Sequence, residues 1–234
     1  MIKDLKNDSK KEFLEKEADA WFERNLHAIE KKEYSFGTGF IKEFLDRQHI
    51  SKEINILEIG CSFGYNLNYL LHNFNNVVCY GIEPSQKAIE YGISEYNKHV
   101  SSRRLVLLRG TIDELPFDDS FFDIVIVGFC FCYLDRKLLM RSEMEIDRIL
   151  KTEGFLAITD FNAVMNYKRM NIHNSNTPVY KTKYADHFIG RGYSCIEKTT
   201  YTASSESFFP FADQERVSTT ILFKEPLEQY YNIE

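Results

Sequence analysis

The sequence predicts an α/β fold built on a doubly wound, mostly parallel sheet of seven strands. The first observation is a change from strand spacing to helical spacing of apolar residues within residues 56–67, across a turn of small residues. The second is that apolar segments of strand length alternate with helical segments from residue 54 to residue 160. Such alternation is typical of βαβ units, whose strands lie parallel and whose helices cover both faces of the sheet.

Two helices are predicted before the first strand, within an N-terminal helical cap of residues 1–50. Residues 9–32 form a charged amphipathic helix, and a second helix is expected near residues 38–49. We expect the first helix to lie across the mouth of the ligand site. The sheet and its helices then occupy residues 51–225 as one domain, and residues 226–234 form a tail.

Parallel strands and connecting helices are predicted after the cap. Apolar and β-branched residues dominate the strand segments, while the helical segments carry apolar residues three and four positions apart. The strands are expected at residues 54–59, 77–82, 104–109, 122–128 and 154–160, and the helices near residues 65–74, 85–97 and 137–150.

The pattern changes after residue 160. A largely polar insertion near residues 161–192 is expected to contribute to substrate binding, with a helix around residues 182–190. Two more strands follow near residues 194–201 and 217–224. Because their connection is too short for a crossover helix, we expect these two strands to pair as a hairpin.

Composition and charge limit the classes of function. The chain has 234 residues and a formal net charge of −6, which disfavours a mainly electrostatic nucleic-acid binder. No apolar run approaches the roughly 20 residues of a membrane span, and the charged N-terminus lacks a signal-peptide core. We therefore expect a cytoplasmic protein that binds neither nucleic acid nor membranes. The five cysteines include no C-x-x-C pair, so we predict reduced thiols and no metal site.

The turn of residues 58–64 has three interpretations. A dinucleotide fingerprint requires glycine at its third and sixth positions, where this chain has Ser62 and Tyr65. A nucleophile elbow, G-x-S-x-G, would make Ser62 the nucleophile of a serine hydrolase, but such a hydrolase normally has several strands before the elbow, whereas residues 1–53 are predicted to be helical. The third interpretation is the acidic-x-Gly-x-Gly-x-Gly turn that holds S-adenosylmethionine (SAM), with Ser62 in place of the middle glycine.

A second predicted strand ends in an acidic residue at the spacing expected for a nucleotide ligand. Glu83 follows residues 77–82 and lies about 25 residues after Glu58. A carboxylate accepts two hydroxyl hydrogen bonds at once, as a ribose diol requires. The spacing therefore supports the SAM interpretation of the turn.

Four blocks of sequence, in this order, resemble the class I SAM-dependent methyltransferases, and within them the small-molecule type with a Leu-Pro-Phe segment. The blocks are residues 58–64, 81–85, 110–117 and 120–127, and the resemblance spans residues 36–160. It implies a Rossmann-like methyltransferase fold with an antiparallel last strand at the edge of the sheet. It also implies SAM as the cofactor and S-adenosylhomocysteine as its product.

The resemblance also implies roles for the residues of the first block. Glu58 would stand behind the turn, and Gly64 would open the following helix. Backbone groups of Gly60, Cys61 and Ser62 would line the methionine portion of the cofactor.

The adenosine portion would be bound by the later blocks. By resemblance, Glu83 would bind the ribose hydroxyls and Pro84 would pack on the adenine. Thr111 stands where the family often has an aspartate that faces the adenine amine, so that contact stays open. Ile112 would offer its backbone to the ring, and Asp113 would partly replace the missing acid. The sulfonium would be faced by three residues at the end of the fourth strand, Gly128, Phe129 and Cys130.

Methyl transfer is an in-line displacement, so the protein must position a nucleophile and exclude water. A base would help a hydroxyl acceptor, and the candidates are Asp160, at the carboxyl end of a strand, and His173. The substrate is expected to contact segments that vary on a shared scaffold, namely Trp21, Arg24, Tyr133 and Tyr180.

Residues 21–25, Trp-Phe-Glu-Arg-Asn, are similar to an N-terminal block of bacterial methyltransferases encoded with surface-sugar pathways. This similarity suggests O-methylation of a sugar or surface-glycan precursor. Separately, we expect a monomer or homodimer. Gly-Phe-Cys-Phe after the fourth strand, instead of Asn-Pro-Pro-Tyr, disfavours methylation of nucleic-acid bases. The acceptor atom stays open among oxygen, a small-molecule amine and carbon. Two alternatives from other classes are a non-catalytic SAM-binding subunit or sensor and a serine hydrolase that uses Ser62.

Overall fold

A computed structural model of the chain describes residues 17–48, 50–171, 177–208 and 215–226. Its helices are α1 (Ala18–Ile29), α2 (Phe36–Arg47), α3 (Tyr65–Asn73), α4 (Gln86–Glu95), α5 (Asn97–Ser101), α6 (Arg136–Ile149) and α7 (Tyr184–Ile189). Its strands are β1 (Ile54–Ile59), β2 (Val77–Glu83), β3 (Leu105–Arg109), β4 (Phe122–Gly128), β5 (Leu150–Met170), β6 (Pro178–Lys183), β7 (Tyr193–Thr202) and β8 (Arg216–Lys224). A short 3₁₀ helix, Phe131–Tyr133, follows β4.

The strands form one sheet in the order β3-β2-β1-β4-β5-β8-β7, and β6 pairs with β5 outside this path. The neighbours among β1 to β5 are parallel, whereas β8 is antiparallel to both β5 and β7. This order confirms the predicted doubly wound, mostly parallel sheet with an antiparallel last strand. It also confirms the predicted hairpin, because β7 and β8 pair directly.

Two details of the predicted sheet were wrong. The sheet has eight strands rather than seven, because β6 adds to β5. The last strand, β8, does not lie at the edge, since it is inserted between β5 and β7. All of residues 217–222 in β8 are buried, as is expected of an internal strand that is covered on both faces.

The predicted polar insertion is largely a β-hairpin. β5 continues beyond Asp160 to Met170, and β6 returns antiparallel to it with Lys181 opposite Tyr167. Most side chains of the outer part of β5 are exposed, including those of residues 164–166. A strand pair with so much exposed surface needs few apolar residues, so its polar composition resembled that of a loop.

Alternate residues of the central strands pack into two cores. Leu57 and Val125 belong to the core that includes residues of α6 and α7. Ile56 and Ile124 belong to the other core, which includes residues of α2, α3 and α4. Because successive side chains of a strand point to opposite faces, both faces of the sheet are covered, as a doubly wound fold requires.

Helix α1 is held against the start of α4. Asp19 Oδ1 accepts a hydrogen bond from Ser85 Oγ at 2.6 Å and from the backbone N–H of Lys87 at 3.2 Å. Phe22 packs against Tyr91, with their ring centroids 5.9 Å apart. These contacts fix the position of α1 relative to the end of β2.

The helix predicted over residues 9–32 is described from Ala18 to Ile29, and residues 9–16 lie outside the described residues. The second predicted helix is α2, which begins after the N-cap residue Ser35. None of the helices in the described ranges has the length and apolar character that a membrane crossing needs.

Candidate cofactor and acceptor site

A cavity of about 590 Å³ opens at the carboxyl ends of β1, β2 and β4, next to α1. This volume is within the roughly 300–1,000 Å³ typical of small-molecule sites, and this edge of a doubly wound sheet is where ligands bind. The lining residues that the sequence predicted to bind the cofactor form what we call the motif wall: Glu58, Gly60, Ser62, Glu83, Pro84, Thr111, Ile112, Asp113, Gly128, Phe129 and Cys130.

The turn after β1 requires glycine at two positions. Gly60 has a φ of 76°, and a Cβ atom there would lie 2.2 Å from the Sγ atom of Cys130. Gly64 is the N-cap of α3 and has a φ of 86°. Residues with a Cβ atom rarely adopt these positive φ values, so both glycines are needed to bring this backbone to the cavity.

Glu83 connects the end of β2 to the turn after β1. Its Oε2 atom accepts a hydrogen bond from the backbone N–H of Ser62 at 2.9 Å, and its Oε1 atom accepts one from that of Ser85 at 3.0 Å. Burial raises the pKa of the Glu83 carboxyl to about 7, although these two hydrogen bonds oppose the rise. Each oxygen keeps a lone pair for a hydroxyl of a ligand in the cavity.

Glu58 is buried behind the turn and is only half satisfied. Its Oε1 atom accepts a hydrogen bond from Asn66 Nδ2 at 2.7 Å, whereas its Oε2 atom has no hydrogen-bond partner among the described residues. Burial raises the pKa of this carboxyl to about 7, opposed by the Asn66 bond. The Oγ atom of Ser62 also lacks a partner within the described ranges. A ligand with polar groups would satisfy both atoms.

The residues that the later blocks predict to bind the adenosine portion of the cofactor line the same cavity. Pro84 follows β2, and Thr111, Ile112 and Asp113 follow β3. Ile112 and Asp113 are both nearly inaccessible to solvent. The loops after two neighbouring parallel strands therefore approach each other here, as their spacing in the sequence predicted.

Three of the residues predicted to bind the cofactor or the substrate do not line the cavity. Cys61 is buried, and its thiol donates to the Ser62 carbonyl at 3.5 Å. Gly64, which is the N-cap of α3, packs against Leu107. Arg24 forms an ion pair with Glu17 at 2.6 Å instead of reaching the cavity. The first two residues shape the turn, and Arg24 ties α1 to the residue that precedes it.

A second group of lining residues is rich in aromatic rings, and we call it the aromatic wall. The predicted substrate residues Trp21, Tyr133 and Tyr180 all belong to it. The full wall comprises Trp21, Phe36, Gly37, Thr38, Ile41, Tyr65, Tyr133, Leu138, Thr159, Tyr180 and Tyr201.

Sequence reasoning missed Phe36 and Tyr201, whose rings meet edge to face with centroids 4.8 Å apart. Phe36 begins α2 and Tyr201 lies near the end of β7, so only the fold brings them together. The Ser35 cap signal could locate the start of α2 but not the surface that this start faces.

Asp160 is buried next to the aromatic wall and does not line the cavity. Its carboxylate accepts hydrogen bonds from the backbone N–H groups of Phe161 at 2.7 Å and Cys132 at 3.4 Å. Burial raises the pKa of Asp160 to about 7, against the effect of these bonds. Cys132 lies within the 3₁₀ helix that carries Tyr133 to the cavity. The other predicted base, His173, lies outside the described residues.

Comparison with known proteins supports the resemblance to methyltransferases that the sequence blocks indicate. A family model described as a methyltransferase domain matches residues 57–158. Sterol 4-C-methyltransferase strm-1 of Caenorhabditis elegans is 24% identical over 91% of this chain and 60% of its own length. Phthiotriol/phenolphthiotriol dimycocerosates methyltransferase 1 of Mycobacterium ulcerans is 27% identical over 45% of this chain and 36% of its own length. The chain thus spans less than two thirds of either relative.

Solved structures share the fold at low sequence identity. A Burkholderia thailandensis 1,6-didemethyltoxoflavin-N1-methyltransferase, crystallised with 1,6-didemethyltoxoflavin and S-adenosylhomocysteine, has a TM-score of 0.66 and 10% identity, covering 89% of this chain and 87% of that one. The Haloferax volcanii complex of the Trm112 methyltransferase activator and a methyltransferase has a TM-score of 0.64 and 19% identity, covering 90% and 98%.

The fold is a Rossmann-like α/β sheet, and the motif wall forms a candidate nucleotide site at the carboxyl edge of that sheet. The match over residues 57–158 shows a methyltransferase domain in this part of the chain, in agreement with its resemblance to the class I SAM-dependent methyltransferases. The motif wall fits the family's cofactor, because buried polar atoms of Glu58 and Ser62 face the cavity without partners in the described part of the chain.

Proposed function

We propose that this protein transfers the methyl group of SAM to a small polar metabolite, by O-methylation of a sugar or a surface-glycan precursor. The observation that carries the proposal is that the motif wall and the aromatic wall line one cavity. A cofactor on the first wall and an acceptor on the second would share the space in which the methyl group moves.

The motif wall would bind the cofactor through its polar atoms. Bound SAM supplies an electrophilic methyl group on a sulfonium. Glu83 binds the ribose hydroxyls with the lone pairs that Ser62 and Ser85 leave free. Glu58 Oε2 and Ser62 Oγ bind polar groups of the methionine portion. Helix α1, held by Asp19, restricts the entry of water.

The aromatic wall supports a ring-shaped acceptor. Tyrosine and tryptophan rings combine a flat apolar face with a polar group at the edge. A sugar ring presents C–H groups on its faces and hydroxyls around its edge, so it matches such a wall. Asp160 would act by positioning Tyr133 through the 3₁₀ helix, because its carboxylate is bonded to that helix.

A lipid or sterol acceptor is a second candidate. It is supported by the apolar side chains of the aromatic wall, such as Phe36, Ile41 and Leu138. The two curated relatives carry the names of a sterol methyltransferase and a dimycocerosates methyltransferase. A sugar and a sterol differ so much in hydroxyl content that one acceptor screen distinguishes them.

Calorimetric titration with S-adenosylhomocysteine tests the cofactor part of the proposal. We expect wild-type protein to bind, and Glu83→Ala to bind about 10–100-fold more weakly, because a charged hydrogen bond contributes roughly 1.5–3 kcal/mol. Glu90→Ala is the matched control, since Glu90 is an exposed acid on α4 that bonds to Gln86. A folded wild-type protein without measurable affinity would refute the proposal.

Transfer of a radiolabelled methyl group from SAM tests the acceptor. A panel of nucleotide sugars and simple glycosides is expected to be labelled in preference to sterols and long-chain alcohols. Labelling of the sterols alone would select the second candidate, and binding without any labelling would favour a SAM-binding subunit or sensor. Ser62→Ala separates the hydrolase alternative, because a serine nucleophile would also react with a fluorophosphonate probe.

A further inference from the structure

Asn66 bridges three parts of the fold with one side chain. It lies in the first turn of α3 and is 7% exposed. Its Oδ1 atom accepts a hydrogen bond from the backbone N–H of Ser35 at 2.8 Å. Its Nδ2 atom donates to Glu58 Oε1 at 2.7 Å. The loop before α2 and the end of β1 are therefore connected through a single amide.

The two ends of this bridge lead to different walls of the cavity, which Ser35 and Asn66 also line. Glu58 belongs to the motif wall, and its other oxygen is open to a ligand within the described ranges. Ser35 is the N-cap of α2, and its Oγ atom accepts a hydrogen bond from Thr38 N. Phe36, Gly37 and Thr38 follow directly and form part of the aromatic wall. A shift of Ser35 would therefore move the acceptor side of the cavity.

The chemistry of the bridge requires an amide. The backbone N–H of Ser35 needs an acceptor, whereas the Glu58 carboxylate needs a donor. Asparagine supplies both, and this pairing also fixes which end of the Asn66 side chain is oxygen. An aspartate would keep the acceptor for Ser35 but would place a second carboxylate against Glu58. A leucine would satisfy neither partner.

The start of α2 has little freedom to move independently. A Cβ atom on Gly37 would lie 2.6 Å from Thr159 Oγ1 and 2.9 Å from Thr219 Oγ1. These two threonine hydroxyls, on β5 and β8, are themselves 2.9 Å apart. The first turn of α2 thus rests directly on the sheet, and small changes at Ser35 alter a close contact.

We propose that Asn66 is a positioning residue that couples the cofactor site to the acceptor wall. A cofactor that engages Glu58 Oε2 stiffens the carboxylate, the Asn66 amide and the Ser35 backbone together, so the start of α2 is held more firmly when cofactor is bound. By reciprocity, an acceptor held by α2 tightens cofactor binding by the same factor, typically about 5–150-fold for coupled sites. This inference rests on the proposed function, because it assumes that the cofactor meets Glu58.

Amide hydrogen exchange of residues 35–47, with and without saturating S-adenosylhomocysteine, tests the coupling. In wild-type protein we expect the ligand to slow exchange at the start of α2 by at least about 5-fold. In Asn66→Leu we expect the ligand still to bind, with no ligand-dependent change at α2. Asn73→Leu is the control, since Asn73 is exposed on the same helix and bonds only to the Tyr69 carbonyl in the contacts described.

A second pair of variants keeps the test valid if Asn66→Leu folds poorly. Asn66→Asp is nearly isosteric and is expected to abolish the ligand-dependent protection of α2. Adding Glu58→Gln exchanges the donor and the acceptor between the two positions and restores a hydrogen bond. We expect this double variant to recover the protection at saturating ligand, which a merely structural role would not predict.

The outcomes separate this inference from the proposed function. If wild-type and Asn66→Asp show the same ligand-dependent protection of α2, the coupling is refuted while cofactor binding stands. If wild-type binds the ligand and α2 does not respond, the coupling is likewise refuted. If wild-type protein does not bind S-adenosylhomocysteine at all, the proposed function fails and this inference falls with it.

Discussion

The backbone N–H of Ser62 donates to Glu83 Oε2 at 2.9 Å, so the turn after β1 is fastened to the end of β2 by a carboxylate that lines the cavity. The same carboxylate accepts from Ser85 N–H at the start of α4. One acidic side chain thus organises two loops and also offers its remaining lone pairs to a ligand. Loss of Glu83 is expected to loosen the turn as well as remove a ligand contact.

Gly60→Ala should destabilise the protein by at least about 2 kcal/mol. The substitution combines an unfavourable positive φ with a Cβ atom 2.2 Å from Cys130 Sγ. Urea denaturation measures the effect. Gly128→Ala is the stability control, because nothing lies within 4 Å of a Cβ atom there.

The steric part of the Gly60 prediction can be separated from the backbone part. Adding Cys130→Ala removes the sulfur that clashes but leaves the φ of 76° unchanged. We expect this double variant to recover part of the lost stability. A Gly60→Ala protein with the wild-type urea midpoint would contradict the description of this turn.

Stability should fall as pH rises from about 4.5 to about 7. The pKa values of Glu58 and Glu83 are raised to about 7 by burial from an ordinary value of 4.5. In this window the folded protein holds protons that the unfolded chain has released, so the free energy of unfolding decreases with pH. Burial also raises the pKa of Asp160 from 3.8 to about 7, so this residue changes the stability in the same direction. Urea midpoints measured across this range test the prediction.

Glu58→Gln should flatten that pH dependence, because the neutral amide has no proton to lose. Affinity for S-adenosylhomocysteine should change in the opposite direction, rising through about pH 7 as Glu58 ionises and accepts a donor from the ligand. Calorimetric titrations of both proteins over the same pH range measure this. An equally steep stability slope in the variant would assign the effect to other groups.

Asp160→Asn should weaken the 3₁₀ helix of residues 131–133 more than it weakens cofactor binding. An asparagine side chain has only one acceptor oxygen, so either the hydrogen bond from Cys132 N–H or the one from Phe161 N–H is lost. The cost is roughly 1–3 kcal/mol. Hydrogen exchange of the 3₁₀ helix and the affinity for S-adenosylhomocysteine provide the two readouts. A large loss of turnover with unchanged exchange and stability would instead support Asp160 as the base.

Asp19→Ala should release α1 from α4 and weaken cofactor retention. It removes the hydrogen bonds from Ser85 Oγ and Lys87 N, each worth about 1 kcal/mol or more because the acceptor is charged. We expect faster exchange of α1 amides and faster dissociation of S-adenosylhomocysteine. Glu23→Ala is the matched control: its ion pair with Lys87 is exposed, and such pairs contribute about 0–1 kcal/mol.

Some elements could be predicted closely because their signals are local. β1 and β4 have the predicted bounds, since each is a largely apolar segment between turn residues. Glu58, Gly60 and Glu83 were located because a ligand turn imposes fixed spacings on the chain. The outer half of β5 was not predicted as a strand, because its exposed residues 164–166 lack the buried face that produces alternation.

The sequence by itself determined the strand-to-helix turn, the acid at the end of β2 and the alternation of strands and helices, because each depends on residues that are near in the chain. Tertiary structure alone decided which other residues lie in and around the cavity. It brought Phe36 against Tyr201, joined Ser35 to Glu58 through Asn66, and directed Asp160 to the 3₁₀ helix. These contacts join residues that are far apart in sequence. They depend on how whole strands and helices pack together, which no local pattern encodes.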